Sequence, residues 1–162
     1  MKTFTILLVA MLAIAGSAYA QSDTSATAAA QGTYPDGTTF GGVAINALQI
    51  ASASIIAADG TADGQITVSL IGPPNPLGVQ QKVTIEVDVS GGTKTAANVA
   101  TIRGTCSIDM GNGTPVISGV PFVATITTTA DHLGTVGLTI GTTSLPNGTI
   151  NDGTMTITDL TL

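Results

Sequence analysis

The chain has 162 residues, of which 9% are charged, 43% hydrophobic and 3% aromatic, with a formal net charge of −6. That length suits about one domain and is enough to bury a core without staples. A mean hydropathy of +0.46 excludes intrinsic disorder, and the acidic balance argues against nucleic acid and anionic lipid, which are held mainly by Lys and Arg.

Residues 1–20 read as a signal peptide. Lys2 supplies the positive start, Ile6–Ile14 a short apolar run, and Ala18 and Ala20 the small residues of an A-x-A cleavage site. The apolar run is shorter than the roughly 20 residues a membrane span needs. Export with cleavage near Ala20-Gln21 is expected, to the periplasm, the cell surface or the medium, with no transmembrane segment in the mature chain. Losing Lys2 leaves Lys82, Lys94 and Arg103 against ten acids, a charge of −7.

Residues 21–42 are rich in Ser, Thr, Ala and Gly, alternate weakly and carry a Tyr34-Pro35-Asp36-Gly37 turn signal. They are expected to form a flexible arm that leaves Tyr34 and Phe40 outside the core. Residues 43–162 are expected to form one β domain. Within 43–58, the three-residue spacing of Asn46, Gln49 and Ser52 suits a helix. A strand is favoured, because the Asp59-Gly60 and Asp63-Gly64 turn signals then lead into Ile66 as a hairpin.

Further along, Ile66, Val68 and Leu70 alternate with polar residues until Gly72-Pro73-Pro74 ends the run. Val83, Ile85, Val87 and Val89 alternate with Thr84, Glu86, Asp88 and Ser90. Val99–Met110 reads as a long strand bent at Gly104, with Cys106 on its apolar parity. Phe122–Ile126 and Val136–Ile140 follow. Ile150, an Asn151-Asp152-Gly153 turn and Met155–Ile157 read as a closing hairpin. The fold class expected is all-β: an antiparallel β-sandwich, Greek-key or jelly-roll-like, of about 7–9 strands. A β-solenoid is second, for want of a fixed-period repeat.

No catalytic constellation is assembled. His132 is the one histidine, in a turn-like Ala130-Asp131-His132-Leu133, and no Gly-x-Ser-x-Gly elbow occurs. Glu86 and Asp88 lie two apart on one solvated face, so they do not oppose each other across a cleft as paired carboxylates must. One Cys and one His are too few soft ligands for a transition metal. Cys106 has no internal partner and is expected to be a buried apolar residue.

Calcium is the one ion with a signal. Asp59, Thr61 and Asp63 stand at relative positions one, three and five, with Gly64 at six and Ile66 at eight. These eight residues resemble the first half of an EF-hand or dockerin calcium loop. The resemblance stops at position twelve, which is Leu70 where a bidentate acid is needed, and a plain Asp-Gly turn accounts for the same residues. Asn112-Gly113-Thr114 and Asn147-Gly148-Thr149 have the form of glycosylation sequons and are also Asn-Gly turns.

With three aromatics outside the leader, no flat sugar-stacking platform can be built. The function expected is therefore a non-enzymatic structural or surface protein acting by assembly, as a matrix, appendage or envelope subunit. Its partners would be itself or other surface proteins, with 21–42 as a strand that completes a neighbour's sheet. The alternatives are a secreted binding or adhesion module, with calcium at Asp59, Thr61 and Asp63 as its one candidate cofactor, and last a small hydrolase using His132.

Overall fold

A computed structural model describes residues 22–160, so the signal peptide and cleavage site expected at 1–21 lie outside the described residues. Eleven strands follow in chain order: β1 (Asp23–Thr33), β2 (Thr39–Phe40), β3 (Val43–Ala44), β4 (Ala47–Ile56), β5 (Ala62–Pro74), β6 (Gln80–Ala96), β7 (Val99–Asp109), β8 (Ile117–Thr128), β9 (Gly134–Ile140), β10 (Thr143–Ser144) and β11 (Gly148–Leu160). The all-β antiparallel class expected from the side-chain alternation is what the molecule has. The 43–58 segment is strand, as favoured: β3, then β4, whose inward residues are Leu48, Ile50, Ser52, Ser54 and Ile56.

Each long strand pairs antiparallel with its neighbours in the order β9-β11-β1-β4-β5-β6-β7-β8. The two ends of that row also meet, since β8 and β9 pair from Phe122↔Ile140 to Thr128↔Gly134. Eight strands thus close into a ring, with the β2–β3 hairpin and β10 as small additions. The connections run from neighbour to neighbour, which differs from the Greek-key or jelly-roll order expected. The reason lies in β1. It pairs with β4 from Thr24↔Ile56 to Thr33↔Ala47, and with β11 from Asp23↔Leu160 to Thr33↔Thr149. Read as an arm, it left β4 and β11 as open edges, so the row could not close into a ring.

The expected flexible arm at 21–42 is therefore corrected. Its first half is a strand flanked on both sides, and its second half turns back so that Tyr34 and Phe40 are buried. Tyr34 N donates to Asn46 O at 2.9 Å, tying the excursion shut where β4 begins. The expected closing hairpin at 151–153 is likewise corrected. β11 runs through those residues, and the Asn-Asp-Gly triplet is a bulge against β1, where the register moves from Gln31↔Asp152 to Gly32↔Ile150. The bend expected at Gly104 coincides with a second bulge, between Val89↔Gly104 and Gly91↔Arg103. A Cβ on Gly104 would sit 2.1 Å from the Asp88 carbonyl oxygen, so the two backbones approach there as only glycine allows.

An eight-stranded ring is just wide enough for side chains to fill. Leu48, Ile66, Leu70, Ile85, Ile102, Phe122, Ile126, Leu138 and Met155 fill it, each less than 2% exposed. Cys106 is free and buried among them, and burial pushes its thiol pKa up. One wall is lined differently. Ala26 faces Ser54, and Ala28 faces Ser52, across the β1–β4 pair.

The two ends of the ring differ. At the first end lie the start of β1, the turns at 57–61 and 129–133, and the finish of β11. At the second end lie the connections 34–46, 75–79, 110–116 and 141–147.

Candidate functional site

At the first end, a cavity of about 380 Å³ is lined by Thr24, Ile56, Asp59, Gly60, Lys94 and Asp159 among others. The last residues of β6 carry Lys94 to the end of β11, where its Nζ lies 2.7 Å from Asp159 Oδ1. This is the single ion pair among the described residues. Thr24 Oγ1 donates to the same oxygen at 3.2 Å. The Lys94 hydrogen bond, its positive charge and the Thr24 bond together hold the Asp159 carboxyl below the usual carboxylate range. Asp23 Oδ1 accepts the Ala58 N–H at 3.1 Å, which fastens the start of β1 to the β4–β5 turn.

The three residues of the calcium-loop resemblance are all exposed in this region. Asp59 Oδ1 accepts both Thr61 Oγ1, at 2.6 Å, and Thr61 N, at 2.9 Å; these bonds lower its pKa. Asp63 stands on the outer face of β5 opposite Ile55, and its Oδ1 accepts Gly64 N at 2.8 Å. Each aspartate is thus an acceptor within its own turn or strand. Among the described residues no group of three His, Cys, Asp or Glu side chains converges on a metal position.

His132 is an exposed turn residue with φ 63°. Its neighbour Asp131 accepts a hydrogen bond from Thr129 Oγ1, which lowers the Asp131 pKa. The carboxylate that would orient a catalytic imidazole is spent on the turn instead.

A second concavity, of about 370 Å³, lies on the outer face of β5–β7 under the start of β8. Thr67, Glu86 and Ser107 form one row across the three strands, and Gln65, Asp88 and Thr105 the next. Ser118 and Gly119 border it from β8. Glu86 and Asp88 stand on one solvated strand face, as their spacing implied.

The second end has a different character. Its four connections contain one ionisable acid, Asp36, and no base. Leu77 is 87% exposed and Val79 62% in the β5–β6 loop; Val116 is 54% and Ile117 52% exposed at the end of the β7–β8 loop. These are four of the six large exposed hydrophobics among the described residues. The two loops adjoin: Gln81 Nε2 donates to Met110 O at 3.3 Å, and Val79, Gln81, Gly111 and Asn112 border one depression of about 430 Å³. A proline before each pair, Pro76 and Pro115, limits how far these loops can collapse. Sequence reasoning did not single out these residues. The available signal was the absence of charge through 72–81 and 110–120, which becomes an end of the molecule only once the strands are in register.

No family model, curated protein or solved structure matches this chain.

Proposed function

We propose that this protein is an exported, non-enzymatic surface or matrix subunit that acts by assembly, through the uncharged β5–β6 and β7–β8 loops of its second end and not by strand exchange. The supporting observation is the segregation of side chains between the two ends. Acids crowd the first end, at Asp23, Asp59, Asp63, Asp131 and Asp159, while Leu77, Val79, Val116 and Ile117 protrude at the second. Clustered exposed apolar side chains mark interaction surfaces, because water exposure disfavours them. Copies that each carry a charge of −7 repel one another, and the charge-free stretches 72–81 and 110–120 of the second end are where two of them meet at least cost. The occupant of that end is accordingly a second copy of this chain. Strand donation by 21–42 is not part of this reading, since β1 is already flanked by β4 and β11.

Sedimentation velocity of the leader-free chain over a wide concentration range tests the proposal. Wild type should populate dimers or larger species. The double variant Leu77→Asp/Val116→Asp should stay monomeric with an unchanged melting temperature, because both side chains are exposed in the single copy. A wild type that is monomeric throughout, or a double variant that associates as well as wild type, overturns it.

A further inference from the structure

The same triplet, Asn-Gly-Thr, occurs in two unlike settings. Asn112-Gly113-Thr114 lies in the exposed β7–β8 loop. Asn112 Oδ1 accepts Thr114 N at 3.0 Å and Thr114 Oγ1 at 2.7 Å. Gly113 has φ 83°, and a Cβ built on it would meet nothing within 4 Å, so the backbone there has room to rotate. Asn147-Gly148-Thr149 begins β11 instead. Gly148 is buried and paired with Val136, and a Cβ on it would lie 2.1 Å from Leu48 Cδ2 and 3.4 Å from the Tyr34 ring.

We propose that Asn112 is a site of spontaneous, sequence-encoded modification: its side-chain amide is lost through a cyclic imide to give aspartate and isoaspartate, while Asn147 keeps its amide. In the first step the Gly113 backbone nitrogen loses its proton to water or hydroxide and attacks Asn112 Cγ. The new N–Cγ bond forms, the Cγ–Nδ2 bond breaks, and Nδ2 leaves as ammonia after taking up a proton. Water then opens the five-membered imide at either carbonyl. No oxidant or reductant is needed.

Three features favour the reaction at Asn112. Gly113 offers no Cβ to obstruct the attack. The open loop permits the rotation that brings its nitrogen to Cγ. The two donors on Oδ1 polarise the carbonyl and stabilise the negative charge that grows on that oxygen, as preorganised donors do in acyl-transfer sites. At Asn147 the following backbone is held in a strand and its glycine is packed against Leu48 and Tyr34, so the rotation cannot occur without opening the ring. The product adds one negative charge to the otherwise uncharged stretch 110–120, which also holds Val116 and Ile117. The modification itself does not rest on the assembly reading.

Peptide mapping by mass spectrometry, after incubation of the leader-free chain at neutral and at mildly alkaline pH, tests this. Deamidation adds about 1 Da to the affected peptide. The Asn112 peptide should gain that mass at least about tenfold faster than the Asn147 peptide, equivalent to roughly 1.4 kcal/mol of barrier, and faster as pH rises. In denaturant the two rates should converge, because the triplets are identical and only the fold separates them. Thr114→Val, which removes one donor to Oδ1 on an exposed loop, should slow the folded-state reaction severalfold. Equal rates in the folded chain, a persistent difference in denaturant, or no conversion of Asn112 overturns the proposal. An unchanged rate in Thr114→Val overturns the role given to its hydroxyl.

Discussion

Ser52 and Ser54 point into the ring, are 8% and 3% exposed, and their hydroxyls have no hydrogen-bond partner. Tyr34 Oη is in the same position near the second end, and burial pushes its pKa well up. A buried hydroxyl without a partner loses its water and gains nothing in return, a cost of about 1–3 kcal/mol. What the serines supply is size. They face Ala26 and Ala28, so β1 and β4 line one wall with small side chains and leave room for the larger ones opposite. Size without the hydroxyl serves equally well. Ser54→Ala should therefore stabilise the protein by about 1 kcal/mol, which thermal unfolding followed by circular dichroism can measure. A loss of stability on that substitution would mean that the hydroxyl is bonded after all.

The same small side chains explain what was legible at the level of elements. Strands β5 to β9 could be read because Ile, Val and Leu alternate with Thr, Ser and acids, so hydropathy itself has period two. In β1 the inward residues are Thr24, Ala26, Ala28 and Ala30, and the outward ones Ser25, Thr27, Ala29 and Gln31. Alanine lies on both faces, the contrast vanishes, and the segment looks like a linker. Asn151-Asp152-Gly153 failed for the opposite reason: a strong turn signal is there, but β1 on one side holds the chain extended and turns the signal into a bulge. The clamp formed by Lys94, Asp159 and Thr24 had no local signal, since Thr24 and Asp159 are 135 residues apart and meet only because the ring closes. Closure makes a strong prediction for β1. Its amides from Ala26 to Ala30 should exchange with deuterium as slowly as those of β5 and β6, since each is held by strands on both sides. A chain beginning after Thr33 should lose cooperative unfolding, because β4 and β11 would both be left with open edges. Fast exchange throughout 23–33, with a truncated chain that still melts cooperatively, would return this segment to the role of a loose arm.

At the scale of the whole molecule, charge separates the two ends and makes their responses to pH differ. Asp59, Asp131 and Asp159 have lowered carboxyl pKa values, from hydrogen bonds donated by Thr61, Thr129 and Lys94 respectively. All three belong to the first end. A carboxyl whose folded-state pKa lies below its unfolded value, about 3.9 for aspartate, binds protons more readily in the unfolded chain. Its contribution is therefore fully present above that value and is lost as pH falls through the lower, folded-state pKa. Acid should thus weaken the first end, where these three hydrogen-bonded carboxylates lie. The melting temperature should be flat from neutral pH down to about 5 and fall below about 4. Asp159→Asn should melt lower than wild type at neutral pH, because Lys94 loses its partner, yet lose less on acidification, because one of the three protonating groups is gone. Parallel melting curves for wild type and Asp159→Asn across that range would show that the clamp closing β6 onto β11 adds nothing to the acid response. Association through Leu77 and Val116 should persist at pH 5, where these carboxyls are still ionised and the loop end is unchanged. Acid unfolding, which starts from the Asp59, Asp131 and Asp159 contacts, and the proposed association through Leu77 and Val116 are then separable by pH.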